Sequence, residues 1–170
     1  MREFGWDDME VLVAYLFRAI MYCLLGFSLE IVYSAIFVEK TLGVKVQRRV
    51  PYKYLEGFVS LYMIPIYALG LLFLFEPLRD ATRHLFFGIR FVIWALGIGG
   101  AEALSAFVMD KVFGFYPWDY YKDSPYKVFK RGYTLYTLLP LWGLAGFLFE
   151  FYSDLLRAVS DQVVSFVLNL

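Results

Sequence analysis

The stretch Phe91-Val-Ile-Trp-Ala-Leu-Gly-Ile-Gly-Gly-Ala-Glu-Ala-Leu-Ser-Ala-Phe-Val-Met109 contains one charged residue, Glu102, in an otherwise apolar run. About 20 apolar residues rising 1.5 Å each cross the roughly 30 Å hydrocarbon core of a bilayer. Three further runs of this kind are present, which makes the fold class all-α: a polytopic membrane bundle of about four helices. The spans fall near residues 9–38, 58–75, 85–112 and 133–156. An apolar tail at 157–170 either extends the fourth helix or lies along the interface. The chain is 61% hydrophobic and 21% aromatic, against roughly 45–50% apolar in soluble domains, and its 170 residues form a single transmembrane domain on this reading.

Sixteen basic and sixteen acidic residues cancel, which argues against nucleic acid as a partner. The one cysteine, Cys23, excludes an internal disulfide, and the one histidine, His84, stands at a helix entrance. No metal or cofactor constellation is visible. The acidic N-terminus precedes an apolar run too long for a signal-peptide core, so that run reads as a retained first span.

Lys and Arg concentrate in two of the three connections. The first carries Lys40, Lys45, Arg48, Arg49 and Lys53; the third carries Lys122, Lys127, Lys130 and Arg131, with Lys111 at its entrance. Arg2, Arg79, Arg83 and Arg157 lie on the other side, with Arg18 and Arg90 just inside spans. The positive-inside rule then makes the first and third loops cytoplasmic and both termini external in an integral protein of the cell membrane. Trp6, Tyr52, Tyr54, Trp118, Tyr120, Tyr121 and Trp142 suit headgroup depth.

A carboxyl group inside a span is costly, and by default a candidate for function. Gly26, Glu30, Tyr33 and Phe37 share one helical face by their spacing, and Gly99, Glu102, Ser105 and Ala106 share another. Gly99 and Gly100, in a small-residue segment, are expected to let neighbouring helices approach closely, as is Gly26. Both glutamates lie roughly 12–15 Å below the end of their spans that faces the basic loops. One shared pocket is therefore expected, with one carboxyl protonated or a cation between the two.

The loop Tyr116-Pro-Trp-Asp-Tyr-Tyr-Lys-Asp-Ser-Pro125 cannot run as one helix because of its two prolines. It is expected to fold back as an aromatic cap, with Trp118 against the first or second helix and Asp119 either holding a turn or lining an entrance. Arg18, Glu76, Arg90, Glu150, Asp154 and Arg157 fall on the opposite half of the bundle and read as interhelical salt bridges or snorkelling ends.

These motifs together resemble a known family. Gly26-Phe-Ser-Leu-Glu30, Pro65-Ile-Tyr-Ala-Leu-Gly70, Glu102, Phe113-Gly114 and Trp118-Asp-Tyr120 are similar, in order, to the signatures of the "putative ABC-transporter type IV", or CmpB-like, membrane family. Pro117-Trp-Asp-Tyr120, Gly132-Tyr-Thr-Leu135 and Pro140-Leu-Trp142 also resemble the vertebrate transmembrane protein 229 family. Ala68 departs from the first pattern, which has Gly there. Tyr136 departs from the second, which tends to have Glu. The resemblance implies a small helical membrane protein. It strengthens Glu30, Glu102, Trp118 and Asp119 as pocket residues and brings in Tyr67 through its segment.

Three functions compete. The leading one is a transport or permease component, not itself an enzyme, whose pocket takes a proton, cation or amphipathic solute. It would work as a homodimer, with a separate ATPase subunit or another membrane protein, since no nucleotide-binding motif is present. The others are a membrane enzyme using carboxylate acid–base chemistry on a lipid-like substrate, and a non-catalytic scaffold.

Overall fold

A computed structural model describes residues 6–169, with side chains from Asp8 onward. Arg2 and the Trp6 side chain, used above for orientation and interface depth, lie outside the described residues. Five α-helices appear: α1 (Trp6–Ile36), α2 (Val38–Leu42), α3 (Glu76–Thr82), α4 (Phe87–Phe113) and α5 (Leu139–Leu168). A π-helical segment, Ile66–Phe75, runs directly into α3. Among the described residues no strand occurs, and the one β-bridge joins Lys127 to Leu135.

Three helical stretches are long and apolar enough to cross a membrane: Asp8–Ile36, Leu61–Thr82 and Phe87–Phe113. With the polar-faced α5 beside them they make an all-α polytopic bundle. α5 is 30 residues long, about 45 Å, and takes most of the apolar tail into one continuous helix. Glu150, Asp154, Arg157 and Asp161 place its charges along the middle of the helix.

Helix ends follow from local chemistry. α2 and α4 stop at Gly43 and Gly114, both left-handed with φ of 72° and 77°, whose N–H groups close onto Glu39 and Asp110 carbonyls. Pro140 opens α5 in the first turn, where its missing N–H leaves no bond unmade.

α4 packs along α5, and α1 packs on both α5 and the second span. Small residues set these distances. A Cβ at Gly143 would lie 2.5 Å from the Phe91 ring, and one at Gly146 would lie 2.2 Å from Trp94. Gly26 and Gly99 are likewise pressed against neighbours. A Cβ at Gly100 would meet nothing within 4 Å, so its assignment as a packing glycine is corrected: it faces away from the other helices.

The half of the bundle away from the basic loops is tied by charge. Glu76 accepts from Arg18 (3.0 Å), Arg157 (2.9 Å) and the Tyr22 hydroxyl (2.8 Å). Glu150 accepts from Arg90 Nε (3.2 Å) and Trp94 Nε1 (2.6 Å). Arg79 pairs with Asp154, which Arg83 also reaches at 3.4 Å, and Arg157 holds Asp80 at 3.0 Å. Glu76, Arg79 and Glu150 are buried, and in low dielectric only such mutual pairing makes burial tolerable. Arg79, placed in a loop by sequence, is helical and one of the most enclosed charges.

The π-helix decides which side chains of the second span reach α1. On an α-helix, nine residues advance the phase by about 180° net, so Tyr67 and Glu76 would face opposite ways. With i→i+5 bonding and about 4.4 residues per turn, they fall within about 20° of each other. Both do face α1: the Tyr67 ring lies on Gly26, and Glu76 meets Arg18 and Tyr22.

Candidate functional site

The first and third connections fold together into one cap. Ser124 Oγ donates to the Leu42 carbonyl (2.6 Å), Thr137 Oγ1 donates to the Thr41 carbonyl (2.7 Å), and the Phe58 and Tyr120 rings meet edge to face at 5.7 Å. Tyr116, Trp118 and Tyr121 are buried in the same apolar core as Val38, Leu42, Met63, Ala106 and Met109. Trp118 donates from Nε1 to the Tyr133 carbonyl at 2.9 Å. The loop is therefore a packed lid over one end of the bundle, pinned by side-chain hydroxyls as well as by rings.

Beneath it stand the two glutamates. Glu102 accepts from Thr134 Oγ1 (2.5 Å) and Trp142 Nε1 (3.2 Å) on one carboxyl oxygen, and the Tyr121 hydroxyl is turned towards it. Gly99, one turn earlier, packs against the same start of α5. Its missing Cβ leaves room for Leu139 and Trp142, which a methyl group there would meet at 3.0 and 3.7 Å. Trp142, expected at headgroup depth, thus also holds Glu102 through its indole N–H.

Glu30 is served by the second span. The Tyr67 ring lies across Gly26, where a Cβ would come within 2.6 Å, and its hydroxyl is directed at Glu30 one turn further along α1. Glu30 Oε2 is enclosed and has no hydrogen-bond partner. Tyr33 shares a 2.5 Å bond with Thr41 and faces Tyr121. Glu30 and Glu102 are both partly buried and close enough to influence each other electrostatically.

The cap tyrosines register this environment. Burial pushes the Tyr121 hydroxyl far above its ordinary range, and the neighbouring Glu102 adds to the effect. Tyr120 is raised by burial and then by Tyr33, Glu30 and Glu102. Both remain neutral hydrogen-bond donors at any physiological pH. The assembly offers two carboxylates, four tyrosine hydroxyls and an indole N–H. Among the described residues, no three His, Cys, Asp or Glu side chains gather to hold a metal.

Of the residues singled out in the sequence, Glu30, Tyr33, Tyr67 and Glu102 come together, with Trp118 as part of the covering wall. Asp119 does not join them: its side chain is 51% exposed and pairs with Lys122 at 3.0 Å. Ser105 faces a groove beside the second span rather than the partners of Glu102. Tyr121, Thr134 and Thr41 were not anticipated. Only the fold brings them in, because their chain positions carry no periodic signal.

No curated protein and no solved structure matches this chain. Residues 16–169, nearly its whole length, match the family described as "Putative ABC-transporter type IV". The chain belongs to that family.

Proposed function

We propose that this protein is a membrane-embedded transport component whose carboxylate–tyrosine pocket, under the aromatic cap, binds a proton, cation or amphipathic solute. The observation that carries the reading is Glu30 Oε2, enclosed within a membrane helix with no partner, beside a second carboxylate whose oxygen is fully engaged. An ionisable group kept at such cost is poor structural glue, since interhelical hydrogen bonds in membranes average about 0.6 kcal/mol. Family membership supports the transport reading. The resemblance to transmembrane protein 229 rests on the motif residues alone.

In this proposal the cap faces the cytoplasm, since it gathers both basic loops. A homodimer supplies the further helices a pathway needs, and ATP hydrolysis resides in a separate subunit. The test is reconstitution in vesicles with a trapped pH dye and an imposed gradient. Proton or ammonium-linked flux should fall in Glu30→Gln and Glu102→Gln and be retained in Asp119→Asn. Flux that ignores both glutamates would refute the pocket as its route.

A further inference from the structure

The second span and α4 are not packed along their length. They touch through Tyr62 and Phe113 near the cap, with ring centroids 6.1 Å apart, and through Phe75 and Trp94 near the charged end, at 5.2 Å. Near the capped end of this gap is a cavity of about 380 Å³, walled by Ile66 of the second span and Leu104, Ser105, Val108 and Met109 of α4. Its size falls within the usual range for small-molecule sites, about 300–1,000 Å³. Leu104 and Val108 are exposed on a membrane-spanning helix, so the opening faces the bilayer.

The inner wall runs back towards the two glutamates, neither of which lines it. Ile66 precedes Tyr67, whose hydroxyl addresses Glu30, and Met109 and Ile66 both belong to the core that holds Trp118 and Tyr121. Ser105 lies one helical turn from Glu102. The apolar opening to lipid thus lies one helical turn from Glu102 along α4 and one residue from Tyr67 along the second span, with the two carboxylates and Tyr33, Tyr67, Tyr120 and Tyr121 behind its wall. Among the described residues, no Arg or Lys is paired with either glutamate. Carboxylates with aromatic faces attract ammonium groups and repel phosphate, sulfate or carboxylate heads.

We propose that this opening seats the hydrocarbon chain of an amphipath with an ammonium head, which reaches the Glu30–Glu102 pair from within the bilayer. The inference rests on the pair being a ligand pocket and adds the class of ligand and its lateral route.

The test uses the full chain in nanodiscs of an uncharged glycolipid, with empty nanodiscs as blank. Equilibrium binding is measured for radiolabelled tetramethylammonium, dodecyltrimethylammonium and dodecyl sulfate. The tailed ammonium should bind about tenfold tighter than the bare head, the equivalent of burying about two methylenes. Dodecyl sulfate should not bind above blank. Val108→Trp, which fills the opening, should abolish the advantage of the tail while leaving tetramethylammonium binding unchanged. Leu104→Trp on the same wall serves if the first variant does not fold. Glu102→Gln should weaken both ammonium probes. If both Trp variants keep the tail advantage, the lateral seat is wrong and the pocket stands. If tetramethylammonium binding ignores the Gln substitution, the pocket reading fails. Equal binding of dodecyl sulfate would overturn the ammonium assignment.

Discussion

Gly26→Ala should destabilise the protein, whereas Gly100→Ala, an identical change on another membrane helix, should stabilise it. A methyl group at residue 26 would lie 2.6–2.7 Å from three atoms of the Tyr67 ring, including Cγ. Carbon atoms rest about 3.5–4.0 Å apart, so the ring must retreat by about 1 Å. Cγ is not the free end of a flexible chain, and the ring is braced by Phe27, whose centroid is 6.0 Å away. Overpacking of this kind costs about 1–3 kcal/mol, of which the better helix propensity of alanine returns about 0.5–1 kcal/mol. At Gly100, with nothing within 4 Å, only the gain remains. The two variants should therefore differ by about 1–3 kcal/mol, read as unfolding midpoints in mixed micelles. Because the strain belongs to one ring, Tyr67→Ala should remove most of the penalty of Gly26→Ala in a double-mutant cycle. Equal shifts at the two glycines, or a penalty untouched by Tyr67→Ala, would refute the seating of Tyr67 on α1.

Arg90→Met should cost about 3–5 kcal/mol by leaving the buried Glu150 carboxylate without its cation; Asp119→Asn, which breaks a half-exposed pair with Lys122, should cost less than about 1 kcal/mol in the same unfolding assay. The Tyr116 phenol, raised from 10.0 to about 12 by burial and then by Asp119, Asp110 and Tyr133, keeps its proton when folded and loses it earlier when unfolded. Its contribution to stability is full below pH 10 and falls as pH rises towards about 12, so Tyr116→Phe should flatten that part of a stability–pH profile and remove one late phenolate from an ultraviolet titration. Single cysteines at Gln47 and Asp123, in a Cys23→Ser background, should be labelled from the same side of sealed vesicles, since the two loops form one cap; opposite labelling would contradict the fold.

Membrane character and the placing of two glutamates inside the bundle were legible because each depends on one feature, a long apolar run or a carboxyl group within it. Glu30 with Tyr33, and Gly99 with Glu102, were legible too, since neighbours at i+3 on an α-helix need only the helical period. The partners across the bundle were not. Thr134 sits in a loop whose path is set by buried hydroxyls such as Ser124 bonding to the far end of α2. Trp142 reads as an interfacial ring in the sequence, and only the packing of α5 on α4 brings its indole N–H to Glu102. Ser105 was assigned to the face of Glu102, but its place on the helix turns it towards the opening beside Leu104 and Val108.

The least legible element is also the one that joins the two polar ends of the molecule. Read with a period of 3.6, Ile66–Phe75 is uniformly apolar and presents no face at all. Glu76, coming after it, looks like the start of a loop. The ten-residue π-helix changes the phase, so that Tyr67, Leu71, Leu72 and Glu76 turn to the same side. Leu71, Leu72 and Glu76 are all buried. Tyr67 then addresses Glu30 while Glu76 gathers Arg18, Tyr22 and Arg157 on the other half of the bundle. A wide helix gains this alignment through weaker backbone geometry, and π-turns are concentrated at functional sites for that reason. Any movement that tightened this segment towards α-helical winding would rotate Tyr67 against Glu76. One of them would have to leave α1, uncovering either Glu30 or the salt-bridge cluster, but not both together. In a transport component, that coupling would let events at one face of the membrane be felt at the other through a single helix.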